Sequence, residues 1–259
     1  MSTDTRLVAF DLDDTLAPSK SPVDPRMARL IVELLEAVEV CVISGGHFGQ
    51  FKSQLVDQLP LDNPEALGRL HLMPTCGTQY YRFVGDTPNE SFWHQQYAEN
   101  LSDDEKRAAL AAVESEAKRL GLWAEETWGP ILEDRGSQIT FSALGQSAPV
   151  DAKKAWDPTG VKKNTLREAV QALLPNLEVR SGGSTSIDIT RRGIDKAYGM
   201  TKLAQLTDIP IEQMLFVGDR LDPDGNDYPV KALGMPTYAV TGWEDTASFV
   251  ESFLAERAA

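Results

Sequence analysis

Three short apolar runs in this chain end abruptly on acidic or hydroxyl residues. Leu7-Val8-Ala9-Phe10 stops at Asp11, Val38 to Ile43, interrupted only by Glu39, stops at Ser44-Gly45-Gly46, and Met214 to Val217 stops at Gly218-Asp219. A continuous apolar run of this length suits a strand buried on both faces, the habit of parallel sheets covered by helices. Between the first two runs, Asp24-Pro25 offers an N-cap with proline at the first helical position. Met27, Leu30, Ile31, Leu34, Leu35 and Val38 then keep a 3.6-residue period. Strand, helix, strand predicts a right-handed βαβ unit. The alternation returns later, with a helix through Leu203 and Leu206 and strands at 214–217 and around Thr237 to Val240.

The middle has another texture. Ser102-x-x-Glu105 reads as a capping box, Leu110, Val113, Ala117 and Leu120 share one face, and Gly121 is a stop signal. Ile139 to Ser142 and Ser186 to Thr190 alternate, as antiparallel strands with one wet face do. The expected fold is α/β: a Rossmann-like parallel-sheet core, residues 1–83 and 192–259, with an α+β insertion at 84–191.

Charge narrows the partners. With 25 Lys+Arg against 39 Asp+Glu, a net charge of −14 repels a phosphate backbone, so nucleic acid is not expected as a partner. No stretch approaches the ~20 apolar residues of a membrane span, and the first ten residues lack a basic leader, which predicts a cytoplasmic protein without membrane contact. Cys41 and Cys76 are far apart and read as buried reduced thiols. Trp123 and Trp128 are expected in the core of the insertion, with a dimer surface as the other reading.

In open parallel sheets, ligands sit beyond the carboxyl ends of the strands. Three polar clusters fall there: Asp11-x-Asp13-Asp14-Thr15, Ser44-Gly45-Gly46, and Gly218-Asp219 leading to Asn226-Asp227. Converging carboxylates repel unless a cation neutralises them, and hard oxygen ligands suit Mg²⁺. An aspartate beside such an ion can act as a nucleophile towards phosphorus, with Asp11 the first candidate. Asp13 would share its side of the chain if extended geometry persists, and would then shuttle the proton.

Phe10-Asp-Leu-Asp-Asp-Thr-Leu16 resembles the first motif, D-x-D-x-T, of the haloacid dehalogenase superfamily. Ser44, Lys196 and Gly218-Asp219 through Asn226-Asp227 match its second, third and fourth motifs in order. The resemblance implies Asp11 as nucleophile, Asp13 as general acid/base, and Mg²⁺ held by Asp11, Asp219 and the Asp13 carbonyl. It also implies phosphoryl contacts from Ser44, Gly45 and Lys196, with Asn226 and Asp227 supporting the metal. The insertion is similar to the type IIB (C2B) cap of the branch holding eukaryotic phosphomannomutases and sugar-phosphate phosphatases. Gly218 to Tyr228, Gly182-Gly183-x-x-Ser186-x-Asp188, Gly193-x-Asp195-Lys196 and Arg135 to Gly145 follow segments of that branch. Arg135, Ser186 and Asp188 would then meet the distal part of the substrate, and the cap would offer a surface for a homodimer. Where the mutase carries further arginines, this chain has Gln146, Lys153 and Lys20. Lysine is a point donor and glutamine carries no charge, so the double phosphate grip of a mutase is weakened. The preferred expectation is a Mg²⁺-dependent phosphatase for a small phosphorylated metabolite, a sugar phosphate by this resemblance. The alternative is a phosphohexomutase using a sugar bisphosphate. A non-catalytic binding protein ranks third, because Asp11, Asp13, Lys196 and Asp219 are all present.

Overall fold

The computed structural model describes residues 4–60, 64–85 and 92–258. In chain order the elements are β1 (Leu7–Phe10), α1 (Pro25–Ala37), β2 (Glu39–Ile43), α2 (Phe48–Gln54), β3 (Leu70–Met73), α3 (Pro74–Gly77), β4 (Gln79–Phe83) and β5 (Trp93–Ala98). There follow α4 (Asp103–Arg119), β6 (Leu132–Asp134), β7 (Ile139–Ser142), α5 (Val150–Trp156), α6 (Val161–Leu173), β8 (Leu177–Ser181) and β9 (Ser186–Arg191). The chain closes with α7 (Lys196–Thr207), β10 (Met214–Gly218), α8 (Tyr228–Ala232), β11 (Thr237–Ala239) and α9 (Trp243–Ala258). It divides into two units, residues 1–97 with 195–259, and residues 98–194.

The first unit holds a seven-stranded sheet in the order β11-β10-β1-β2-β3-β4-β5. β11, β10, β1, β2 and β3 run parallel, and β4 turns antiparallel to β3. Each central strand feeds two cores by alternation. Val8, Phe10, Val40, Val42, Leu215 and Val217 pack with α1 and α9 residues such as Ile31, Leu34 and Val250. Leu7, Ala9, Cys41, Ile43, Met214 and Phe216 pack with Met200 and Leu203 of α7. Burial on both faces is why β1 and β10 are apolar from Leu7 to Phe10 and from Met214 to Val217. α1 starts as expected, with the Asp24 carboxylate accepting from the Arg26 N–H and proline in the first turn.

The second unit is a four-stranded antiparallel sheet, β6-β7-β9-β8. Its apolar face, Ile139, Phe141, Ile187, Ile189, Leu177 and Val179, is covered by α4 and α6 through Val113, Ala117, Leu166 and Val170. Ser102 and Glu105 close both halves of the capping box of α4, and Gly121 ends that helix at φ 68°.

Four details differ from the expectations. Residues beyond 84 do not all leave the core: β5 is the outer strand of its sheet, anchored by Trp93 against Phe83, so the units divide after 97 rather than 83. The expected wet face of β7 is closed, with Thr140 and Ser142 both 2% exposed. Trp123 stacks on Phe141 in the core, but Trp128 is 47% exposed. Cys41 is buried, whereas Cys76 is only half-buried. Among the described residues, no helix is long and apolar enough to cross a membrane.

Candidate active site

Strand parity places the first carboxylate. Leu7 and Ala9 face α7, and Asp11, next in that series, meets the first residue of the helix: Lys196 Nζ lies 2.7 Å from Asp11 Oδ1. A lysine in the first turn opposes the helix dipole, and this one is 1% exposed, so local preference disfavours it twice. Two carboxylates compensate, Asp11 and the wholly buried Asp227, whose Oδ1 is 2.5 Å from the same nitrogen. Burial works against the ammonium of Lys196, but the two aspartates outweigh it and hold its pKa above the ordinary lysine value.

Asp219, just past the end of β10, completes the group. Carboxylate oxygens of Asp11, Asp219 and Asp227 all lie within 4.8 Å of one another. Asp227 approaches so closely because residue 218 is glycine: a Cβ there would stand 2.3 Å from Asp227 Oδ2. The Arg220 N–H donates to that oxygen, and Thr15, itself buried, donates to Asp219 Oδ1 at 3.3 Å. Three carboxylates thus face one ammonium. Burial pushes the carboxyl pKa of Asp11 well up, with Lys196 opposing and Asp227 and Asp219 adding. Burial and the Asp227 charge push Asp219 up to about 6. An all-oxygen cluster with surplus negative charge fits a hard divalent cation such as Mg²⁺. Asp227 was expected only to support the metal, yet its carboxylate belongs to the cluster, whereas Asn226 is exposed.

Asp13 does not follow Asp11. The chain bends after Asp11, Asp14 takes φ 61°, and the N–H groups of Leu16 and Ala17 return to the Leu12 carbonyl. Extended geometry is lost, so Asp13 turns towards α2. Its Oδ1 accepts from the Lys20 N–H (2.6 Å) and Gln54 Nε2 (3.2 Å), its Oδ2 from Gln50 Nε2 (3.0 Å). Lys20 therefore serves Asp13 through its backbone, while its side chain is exposed.

Ser44 is buried at the end of β2, where its Oγ accepts from the Gly46 N–H at 3.4 Å. Its loop is held by α3, which is no regular helix. Thr75 (φ 51°) and Cys76 (φ 56°) are left-handed, and their N–H groups donate to Gly46 O and Ser44 O at 3.0 Å each. A β-branched residue in that region costs on the order of 1–2 kcal/mol, and such strain persists where the surroundings impose it. Nothing in the sequence reading anticipated this turn, Gln50 or Gln54. The one available signal was two amides four residues apart in the short helix after Gly-Gly.

The remaining expected residues lie in the second unit. Asp188 accepts from Thr140 Oγ1 (2.7 Å) and Gln138 Nε2 (2.9 Å), and Ser186 stands two residues earlier on the same strand. Arg135 pairs with Glu133 at 2.6 Å and reaches Gln146 Oε1 at 3.5 Å, while Lys153 donates to the Gln146 carbonyl at 3.4 Å. The arrangement joins Arg135, Gln146 and Lys153 in one group and Asp188 with Gln138 and Thr140 in another.

The family model of haloacid dehalogenase-like hydrolases matches residues 153–229, a stretch that includes Lys196, Asp219 and Asp227. Over that stretch the chain is similar to the haloacid dehalogenase-like hydrolases. It is 24% identical to human phosphomannomutase 1 over 232 residues, covering 87% of this chain and 83% of that protein. A probable phosphomannomutase of Caenorhabditis elegans is 23% identical over 256 residues, 96% of each chain. Among solved structures, an N-terminally truncated IMP-nucleotidase of Plasmodium falciparum superposes with a TM-score of 0.70 at 15% identity, covering 98% of this chain and 71% of that one. A haloacid dehalogenase-like hydrolase from Bacteroides thetaiotaomicron gives 0.62 at 15% identity, over 96% of this chain and 99% of that one. The structural matches speak for the fold, and the sequence matches show similarity to phosphomannomutases over most of the chain.

Proposed function

We propose that this chain is a cytoplasmic Mg²⁺-dependent phosphatase acting on a small phosphorylated metabolite, a sugar phosphate, through an aspartyl-phosphate at Asp11. The observation that carries this reading is the surplus of negative charge around Asp11, three converging carboxylates, two buried and one half-buried, against one buried ammonium. Asp11, Asp219 and the Asp13 carbonyl would hold the ion, with Asp227 beside them. The ion, when bound, neutralises charge on the carboxylates and on the phosphoryl oxygens. Asp11 Oδ attacks phosphorus, the bond to the leaving oxygen breaks, and Asp13 gives that oxygen its proton. Water then attacks the same phosphorus, the bond to Asp11 breaks, and the water's proton returns to Asp13, leaving alcohol and phosphate. An in-line displacement requires nucleophile and leaving group on opposite sides of phosphorus, and the bend that separates Asp13 from Asp11 suits that need. Lys196, Ser44 and the Gly45 backbone are assigned to the transferring oxygens. Choice of ester is assigned to the second unit through Arg135, Lys153, Ser186 and Asp188.

Phosphate release across a panel of sugar phosphates, with Mg²⁺ varied, tests the proposal. Release that depends on Mg²⁺ and vanishes in Asp11→Asn is expected, and full activity of that variant would end it. A second reading, phosphohexomutase, is favoured by the phosphomannomutases to which the chain is similar over most of its length. Gln146 and Lys153 in place of arginines weigh against it. Following glucose 1-phosphate or mannose 1-phosphate with and without a sugar bisphosphate separates the two, because isomerisation and phosphate release are distinct signals.

A further inference from the structure

We infer that Gln50 and Gln54 are positioning residues of the reaction, holding the Asp13 carboxylate at the end of the phosphoryl-binding loop through two side-chain amides. The inference rests on the phosphatase reading and adds to it the groups that aim its proton carrier.

Both glutamines lie on α2, four residues apart and so on one face of the helix. Each sends its amide nitrogen to a different oxygen of Asp13, Gln50 to Oδ2 at 3.0 Å and Gln54 to Oδ1 at 3.2 Å. With the Lys20 N–H at 2.6 Å on Oδ1, the carboxylate is gripped from both sides, and its plane as well as its place is set. Gln54 is 3% exposed, and its amide nitrogen also donates to the Ser21 carbonyl at 2.8 Å. Its own carbonyl oxygen is buried with no hydrogen-bond partner. An orphaned buried oxygen costs about 1–3 kcal/mol. A side chain serving packing alone would carry no such penalty, and here the cost is met by the two hydrogen bonds that the Gln54 nitrogen donates.

Gln50 ties this grip to the loop after β2. Its side chain crosses residue 46, where a Cβ would stand 2.4 Å from Gln50 Oε1. The second glycine of Ser44-Gly45-Gly46 thus leaves room for the amide that reaches Asp13. Asp13 is held beside the loop carrying Ser44, with its rotamer set before any ester arrives, which is how precise proton transfer is prepared.

The test uses p-nitrophenyl phosphate with Mg²⁺ in rapid mixing, comparing wild type with Gln50→Leu, Gln54→Leu and Asp13→Asn. The leaving group needs no proton, so transfer to Asp11 should survive in all three, while attack of water on the aspartyl-phosphate should slow. The expected result for both glutamine variants is a burst of nitrophenolate equal to the enzyme, then steady turnover about 10–100-fold below wild type, with KM falling alongside it so that kcat/KM stays within about twofold. Gln50 is only half-buried, so its variant is safe to fold even if Gln54→Leu is not. Turnover of Gln50→Leu at the wild-type rate, while Asp13→Asn is slowed about 100-fold, would overturn the inference and leave the phosphatase reading standing. Equal loss of burst and turnover would also overturn it, as a merely structural defect. Wild type that releases nitrophenolate from no phosphate ester would sink the underlying reading instead.

Discussion

Two polar clusters are buried on the same face of the core sheet, at opposite ends of its strands, and they are built on different charge arithmetic. At the carboxyl end, Asp11, Asp219 and Asp227 confront Lys196 alone. At the amino end, Glu39 of β2 accepts from His71 Nε2 of β3 at 2.6 Å, and His71 Nδ1 accepts from the Tyr80 hydroxyl of β4 at 2.8 Å. Burial holds the imidazole pKa below its ordinary value despite Glu39, so His71 is neutral, one nitrogen donating and the other accepting. Burial works against the Glu39 carboxylate, but His71, Arg82 and Arg69 outweigh it and hold its pKa below the usual range. That network closes on itself. The lesson is that a buried polar group is no sign of a site, whereas a buried surplus of one charge is, because only a ligand can settle it.

The contrast can be broken at several points. The largest effect is expected for Asp11→Asn, where turnover measured by phosphate release should fall by about 10⁴-fold or more while circular dichroism is unchanged. His71→Gln should leave kcat alone yet cost about 1–3 kcal/mol in urea unfolding, because it strips a closed network of its centre. Asp219→Asn should do the reverse to the metal-free protein, raising its melting temperature by about 2–4 °C through relief of like charge, and should abolish Mg²⁺ binding in calorimetry. A lower metal-free melting temperature for that variant would mean that the cluster is not in surplus.

Acid should separate the two clusters by sign. His71 and Glu39 both have lower pKa values folded than unfolded, so on acidification the unfolded chain takes up protons first. The stability they confer at pH 7 is lost below about 6.5 for the histidine and about 4.3 for the glutamate. Asp219 is raised to about 6, so in the metal-free protein its penalty is lifted as pH falls through that value. Melting curves from pH 7.5 to 5.5 should therefore fall less steeply in His71→Gln than in wild type, and more steeply in metal-free Asp219→Asn. The smallest change is expected at the strained turn. Cys76→Asn, which suits a left-handed backbone, should gain about 0.5–1 kcal/mol with the Ser44 loop unmoved.

Much of this was legible beforehand for a simple reason. Leu7 to Phe10 and Met214 to Val217 had to be parallel strands because each is apolar at every position, and Asp11 and Asp219 were conspicuous as the residues that stop those runs. Lys196 alone looked like any solvated lysine, and became legible only through its place in order among the other motifs. Asp13 was misread because alternation was extended past the strand, across a bend that Asp14 makes by adopting a left-handed backbone. β5 fell inside the expected insertion at 84–191, and its exposed His94, Gln95 and Gln96 are what an outer strand presents to solvent.

From the amino-acid order alone came the two classes of sheet, the central strands, helices α1 and α4, and the choice of Asp11 as candidate nucleophile, since these depend on periodicity and on where apolar runs end. Three things waited for the folded chain: the entry of Asp227 into the carboxylate cluster, the glutamine grip on Asp13, and the split between a closed buried network and an overfull one. Each is a distance between side chains brought together by long-range packing, and no local pattern encodes how many charges will share one buried volume.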